Sequence, residues 1–209
     1  MQPLLKSNPI ALTLLVIGLV TTLASVVLVP KVRETFPLSQ PSASSLTLNK
    51  ETVKNWLIYA LPTKGIKIKY PENWEKQNLQ NPVTKEVAIF LPPQETNSEQ
   101  EKLIITIDDS LNRRPLTLNE YTNLAINEVK RYTKEADLIE SRSATLANSP
   151  AHMVIYTSKE EPDSLIKLEI WTLKNNKAYI ITYTAQKSEY SKFLTTVKEM
   201  IKSFEITDF

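Results

Sequence analysis

The sequence predicts an α+β domain, an α/β/α sandwich with a central antiparallel sheet of about six strands. The first observation is the C-terminal block, which contains a strand at Leu165–Leu173, a tight turn at Lys174–Lys177 and a strand at Ala178–Thr184. The second is the pair of amphipathic segments at Ser188–Lys202 and Thr117–Thr133. A helix that buries one face on a hairpin makes an α+β core, and earlier strands must complete the sheet.

Periodicity identifies the C-terminal helix. Its apolar residues follow at i, i+3, i+4, i+7 and i+11 and form one stripe: Tyr190, Phe193, Leu194, Val197 and Ile201. In the preceding hairpin, Asn175 and Asn176 tolerate the positive φ that a two-residue primed turn requires.

The other predicted helix, Thr117–Thr133, begins with a capping box. Thr117 and Glu120 have the T-x-x-E spacing that satisfies backbone N–H groups of the first turn. Glu51–Ala60 is ambiguous between a short helix and the approach to a first strand. Apolar or alternating runs predict the earlier strands at Ile66–Tyr70, Val87–Leu91, Leu103–Ile107, Leu138–Leu146 and His152–Ser158.

Scarce residues exclude several classes of site. The chain has no Cys, so it has no disulfide, thiolate nucleophile or Cys-ligated metal. Its single His, His152, would have to serve alone in any zinc site or Ser-His-Asp triad. With only two Gly, Gly18 and Gly65, the chain lacks the glycine-rich turns of phosphate-binding loops and dinucleotide sites, so no nucleotide is expected.

Charge gives no indication of a nucleic-acid partner. Three of the 25 Lys and Arg and one of the 23 Asp and Glu lie in residues 1–48, so the remainder is balanced. A nucleic-acid-binding domain normally concentrates basic residues on one face.

The N-terminal region predicts a membrane anchor. Ile10–Val29 is uncharged over twenty residues, the length of a transmembrane helix. It exceeds the apolar region of a signal peptide, although a cleaved signal remains the alternative. We therefore predict a cytoplasmic segment at 1–9, a signal anchor at 10–29, a flexible Ser/Pro-rich tether at 30–48 and an exported domain at 49–209.

Four stretches resemble the PsbP-like family. Ile66–Trp74 resembles its strand followed by Tyr-Pro-x-x-Trp, and Ser149–Tyr156 its Pro-Ala turn and strand. Trp171–Ala185 resembles the next hairpin, and Tyr190–Phe204 the last helix with its Ser-Phe exit. The resemblance covers about residues 56–206, and it rests on the order and spacing of these four stretches. Asn148-Ser149 departs from the family's usual Gly.

The resemblance implies a lumenal protein of oxygenic photosynthesis or a bacterial relative. Such proteins are mostly non-catalytic, and they dock on photosystem II or assist its assembly and its calcium and chloride retention. We therefore expect no enzyme activity and a domain on the thylakoid-lumenal or periplasmic side of a membrane. Two alternatives stay open: an envelope structural or sensory domain unrelated to photosynthesis, and a hydrolase.

Metal-ligating candidates are few. Asp108 and Asp109 follow a strand and could bind Ca²⁺ or Mn²⁺ through oxygen ligands, although adjacent strand residues point to opposite faces. The favoured interpretation is a solvated turn whose acids pair with Arg113 and Arg114. His152 could ligate a metal or titrate near neutral pH, and a plain strand-end His is favoured. No cofactor is therefore expected.

The sequence Glu160-Glu161-Pro162-Asp163 is interpreted as an exposed hairpin turn. As a compact acidic tip it is the better candidate for protein docking, through Glu160, Glu161 and Asp163. Three tryptophans are interpreted as packing residues: Trp56, Trp74 and Trp171.

Overall fold

The computed structural model describes residues 55–79, 83–93, 101–133, 135–160 and 163–207. The predicted cytoplasmic segment, anchor and tether (1–48) lie outside these residues and remain predictions. Among the described helices, none is both long and apolar enough to cross a membrane.

The described residues form ten strands and two α-helices. In chain order they are β1 (Trp56–Leu61), β2 (Ile66–Pro71), β3 (Glu75–Asn78), β4 (Glu86–Leu91), β5 (Lys102–Asp108), α1 (Leu118–Tyr132), β6 (Asp137–Leu146), β7 (Ser149–Glu160), β8 (Asp163–Lys174), β9 (Lys177–Gln186), α2 (Tyr190–Lys202) and β10 (Glu205–Ile206).

The strands make two antiparallel sheets. The large sheet has the order β3-β4-β5-β9-β8-β7-β6, and the small sheet has the order β1-β2-β10. The prediction of one sheet of about six strands was therefore wrong in this respect. Apolar periodicity indicates that a segment is a strand, but it does not say which sheet the strand joins.

Two apolar clusters cover the two faces of the large sheet. On one face, α2 and the small sheet pack through a cluster that includes Phe90, Tyr183 and Val197. On the opposite face, α1 packs over Tyr156 and Trp171. The molecule is thus α+β with the large sheet in the middle layer, as predicted, but one outer layer combines a helix with a small sheet.

Locally determined features were confirmed. Helix α1 has both hydrogen bonds of the capping box, with the Glu120 N–H donating to Thr117 Oγ1 at 3.2 Å and the Thr117 N–H donating to Glu120 at 2.8 Å. Asn175 and Asn176 have φ of 51° and 54°, the left-handed values of a primed hairpin turn.

Other features follow from long-range pairing. The ambiguous segment near Trp56 is strand β1, because it pairs along its whole length with β2. Strands β3 and β10 were not predicted, since β3 has the polar sequence Glu-Lys-Gln-Asn and β10 has two residues. The turn between β6 and β7 is made by Ala147 and Asn148, with φ of 49° and 58°.

Candidate functional site

Polar side chains gather between α1 and the large sheet, and we call this region the α1 face. Residue alternation puts Asp108 of β5, His152 and Tyr156 of β7, and Glu169 and Trp171 of β8 on this face. All of the predicted metal candidates except Asp109 therefore lie on one side of the sheet.

The two aspartates occupy different environments. Asp108 is buried at 5% exposure, where it makes an ion pair with Lys85 and accepts a hydrogen bond from the Ser110 N–H at 2.9 Å. Asp109 is exposed and precedes a short 3-10 turn. The interpretation of both acids as solvated partners of Arg113 and Arg114 was wrong for Asp108, because the Lys85 side chain reaches it from a neighbouring strand connection.

His152 belongs to a packed cross-strand arrangement. Its ring stacks on Trp171, the residue opposite it on β8, with centroids 5.6 Å apart and planes at 30°. Its Nε2 lies 2.8 Å from Ser141 Oγ. Partial burial lowers the pKa of the imidazole, so His152 is mostly neutral at pH 7.

A Ser–His pair alone does not make a nucleophile. Activation requires a group that orients the base, and usually a carboxylate takes that role. The carboxylates of the sheet strands on this face are engaged otherwise, Asp108 of β5 with Lys85 and Glu169 of β8 with Tyr156. The geometry therefore supports a structural role for His152, and the expectation of no enzyme activity stays a prediction.

Trp171 anchors α1 to the sheet. Its indole Nε1 donates to Thr122 Oγ1 on α1 at 3.1 Å, and its ring lies edge-on to Tyr121 with centroids 6.2 Å apart. Trp171 is buried at 1% exposure. The packing interpretation of this tryptophan was confirmed, as was that of the buried Trp74.

Glu169 is a half-buried carboxyl beside Tyr156 and Lys167. Burial raises its pKa, while the Tyr156 hydroxyl, which donates at 2.6 Å, and nearby Lys167 act in the opposite direction. Nearby Tyr121 shows the same environment, since burial and then the charges of Asp108, Glu169 and Glu128 raise its pKa.

The Glu169→Gln variant should change how stability depends on pH. Because the pKa of Glu169 is higher in the folded protein, its stabilising contribution is complete below the pKa of the unfolded chain. That contribution is lost as the pH rises through the folded pKa. We therefore expect the variant to gain stability relative to the wild type as the pH rises above about 4, the pKa of a Glu side chain in the unfolded chain, measured by urea unfolding at each pH. A difference in unfolding free energy that stays constant with pH would contradict this assignment.

A cavity of about 330 Å³ opens beside α1 and β6. Its lining is mainly apolar, with one Lys and one Asp: Ile126, Val129, Lys130, Ala136, Asp137, Leu138 and Val154. His152 does not line it, and its single carboxylate is that of Asp137. The cavity therefore does not provide the convergent acids around His152 that a hydrolase would need.

The predicted acidic tip lies at the end of the β7–β8 hairpin. Glu160 pairs with Asp163 across the two strands, while Glu161 and Pro162 lie outside the described residues. Neighbouring β6 pairs only as far as Thr157, and β9 only as far as Leu165. The end of the hairpin therefore extends beyond both flanking strands.

No group of three or more His, Asp or Glu in the described residues could hold a metal ion. Asp108, Asp109 and His152 are not brought together: Asp108 is buried, Asp109 is exposed, and His152 stacks on Trp171. A Ca²⁺ or Mn²⁺ site at these residues has no geometric support.

The family model described as "PsbP-like protein" matches residues 14–206. The chain belongs to the PsbP-like family. No curated protein matches it. The family match includes the residues on which the resemblance was based.

Solved structures show the same fold at low sequence identity. The cyanobacterial PsbP (CyanoP) of Synechocystis sp. PCC 6803 is 13% identical, with a TM-score of 0.53 over 75% of this chain and 95% of that one. The Ran-binding protein Mog1p of Saccharomyces cerevisiae is 9% identical, with a TM-score of 0.52 over 74% and 96%.

A third match has another setting. LpqN of Mycobacterium tuberculosis, which is involved in cell envelope biogenesis, is 10% identical, with a TM-score of 0.51 over 68% and 83%. These likenesses establish the PsbP-like fold, and this fold is shared by proteins with unrelated roles.

Two parts of the α1 face could not be found from the sequence. Lys85 and Asp108 are 23 residues apart, and an irregularity between Glu86 and Ala88 in β4 comes between them in the chain. Glu169 looks like an ordinary exposed charge within an alternating strand. The only sequence signal of its partial burial was its position two residues before Trp171 on β8, because residues two apart on a strand point to the same face.

Proposed function

We propose that this chain is a non-catalytic, membrane-tethered PsbP-like module that docks on photosystem II, a photosynthetic membrane complex, or assists its assembly. The observation that carries the proposal is the family match over residues 14–206. The fold shared with CyanoP supports it, as does the uncharged segment Ile10–Val29, which would hold the domain at a membrane.

In this proposal the domain lies on the thylakoid-lumenal or periplasmic side. The polar groups of the α1 face support a docking role over a catalytic one, because ion pairs, hydrogen bonds and ring stacking already engage them. No metal, nucleotide or nucleic acid takes part.

The docking residues that we propose are Glu160, Glu161 and Asp163. The hairpin end extends past β6 and β9, so a partner surface could reach it without contacting the rest of the sheet. Charged groups at the rim of an interface steer association and fix orientation. The complementary surface would therefore carry Lys or Arg.

Neutralising this tip tests the docking site. The triple variant Glu160→Gln, Glu161→Gln and Asp163→Asn should reduce co-purified photosystem II subunits by about tenfold, which corresponds to about 1.4 kcal/mol. The measurement is affinity purification of the tagged full chain from solubilised native membranes.

A second triple variant provides the matched control. It removes the same number and kinds of charge at exposed acids elsewhere on the domain: Glu75→Gln on β3, Asp109→Asn after β5 and Glu199→Gln on α2. We expect this control to recover photosystem II subunits as the wild type does. Equal recovery with the tip variant and the control would reject this tip as the docking site.

A second function is an envelope structural or sensory binding domain unrelated to photosynthesis. It is favoured by the fold shared with LpqN and Mog1p, whose described roles differ from each other. A chain that stays in membranes but never co-purifies with photosystem II subunits would support this second function.

A further inference from the structure

The sheets have four outer strands in the described part of the chain, and one of them differs from the rest. Unpaired strand edges are usually protected by charges, by short length or by bulges. Strand β3 has a Glu and a Lys among four residues, β10 has only two residues, and β6 has a register shift and charges. Strand β1, with the sequence Trp-Leu-Ile-Tyr-Ala-Leu, has no charge, no Pro and no register shift.

The hydrogen-bonding direction of β1 follows from its pairing. The Glu72 N–H donates to the Asn55 carbonyl at 3.1 Å, so the backbone groups of Asn55 face β2. These groups alternate along an antiparallel ladder, and Trp56 lies opposite Pro71, which has no N–H. The N–H and C=O groups of Trp56, Ile58 and Ala60 therefore point away from β2, toward the free edge.

Strand β1 also has exposed apolar side chains along this free edge. Ile58 is 60% exposed and Leu57 is 40% exposed, two of the few large apolar side chains with such exposure in the described residues. Ile58 is also the middle one of the three residues whose backbone groups face the free edge. An uncharged edge with exposed apolar side chains is a template for another strand.

We propose that the free edge of β1 pairs with β1 of a second copy of this chain. In an antiparallel pair about a two-fold axis, Ile58 lies opposite Ile58 of the second copy. Leu57 then lies opposite Tyr59, and Trp56 opposite Ala60. This register keeps matching faces together, since opposed residues point to the same side of a sheet. The two small sheets become one sheet of six strands.

Charge is compatible with this pairing. No charged residue lies on β1, so no like charges meet across the contact. The basic side chains on that face, Lys67 and Lys69, lie opposite Ala60 and Ile58 on β2, one strand behind the edge.

The N-terminal segments also fit the two-fold arrangement. Each chain enters β1 through Asn55, and the two Asn55 residues would lie about 20 Å apart at 3.4 Å per residue. Residues 30–54 are long enough for both Ile10–Val29 segments to reach one membrane. Strand pairing alone buries less than the roughly 1,200 Å² of a standard interface, so attachment to one membrane would strengthen a weak pair.

Disulfide trapping tests the register, and the absence of native Cys makes it clean. In the full chain in detergent micelles, Ile58→Cys should form cross-linked dimers at least tenfold faster than Lys69→Cys. The control position is exposed on the same face, but two copies of it would be separated by three strand spacings, about 14 Å. That separation exceeds the Cα distance that a disulfide can bridge. Equal rates for the two variants would overturn the proposal, including the case of a dimer held by the N-terminal segments.

Proline at the same position provides a second test. Ile58→Pro removes an edge N–H that does not face β2, so the ladder within the small sheet is kept. We expect the dimer fraction of the full chain, measured by analytical ultracentrifugation in detergent, to fall at least tenfold, while Ile58→Val preserves it. A folded proline variant that still dimerises would overturn the proposal. A wild-type chain that is monomeric at every concentration would also overturn the proposal. The free edge of β1 would then be available to pair with a strand of another protein.

Discussion

Replacing Trp171 by Ala is expected to lower the free energy of unfolding by about 3–5 kcal/mol. The side chain is buried and bridges the sheet to α1 through its bond to Thr122 and its contact with Tyr121. Truncation leaves a cavity and removes the platform on which His152 stacks. Since small domains have about 5–15 kcal/mol in total, the variant would be close to unfolding. Urea unfolding followed by circular dichroism measures the effect.

Two controls separate packing from chemistry at this position. Trp171→Phe keeps an aromatic ring and loses the indole N–H together with part of the side-chain volume, so it should cost clearly less than the Ala variant. Tyr132→Ala removes an aromatic that is 62% exposed at the end of α1 and should change stability by no more than about 0.5 kcal/mol. A Trp171→Ala variant as stable as Tyr132→Ala would show that α1 does not depend on this anchor.

Replacing Lys85 by Met is expected to lower the free energy of unfolding by about 2 kcal/mol. Removing one partner of a fully buried ion pair costs about 3–5 kcal/mol, because the other charge stays buried without compensation. Here Asp108 is buried but Lys85 keeps 26% of its side-chain exposure, so solvent screening reduces the cost. The Ser110 N–H still donates to Asp108 and reduces it further.

The double variant Lys85→Met with Asp108→Asn provides the control. It removes both charges and keeps an acceptor for Ser110, so most of the loss should be recovered. If the single and double variants were equally destabilised, the effect would come from the loss of the Lys85 side chain itself and not from an unpaired Asp108.

Features that neighbouring residues determine were predictable. Three such features are the apolar stripe of α2, the paired asparagines of the β8–β9 turn and the Thr117–Glu120 capping box. Each depends only on residues that lie close together in the sequence. The local sequence contains their physical causes, which are side-chain periodicity, tolerance of positive φ and helix N–H groups that need a partner.

Features that depend on pairing between distant parts of the chain were not predictable from the sequence. Strand β10 pairs Glu205 and Ile206 with the far end of β2, more than 130 residues away, and places β2 in a separate sheet. The two-residue strand has no periodicity to detect. Strand β3 lies at a sheet edge and has no alternating apolar residues. Only its pairing with β4 identifies it as a strand.

The candidate site divides in the same way. Strand alternation argued against a metal site shared by Asp108 and Asp109, but the sequence did not indicate that Asp108 is buried while Asp109 is exposed. The engagement of Asp108 by Lys85, and of Glu169 by Tyr156, required knowing which strands are neighbours. Sequence therefore singled out Asp108 and His152 on this face, while Lys85 and Glu169, and the pairing of both carboxylates within the protein, emerged only from the fold.

Fractionation of the tagged full chain from native membranes tests the central claim most directly. The measurement is its intact mass, the membrane in which it is found and the proteins that co-purify with it. We expect the uncleaved chain in photosynthetic membranes, together with photosystem II subunits. A soluble, shortened chain, or an intact chain in membranes from which photosystem II subunits are never recovered with it, would contradict the tethered docking function.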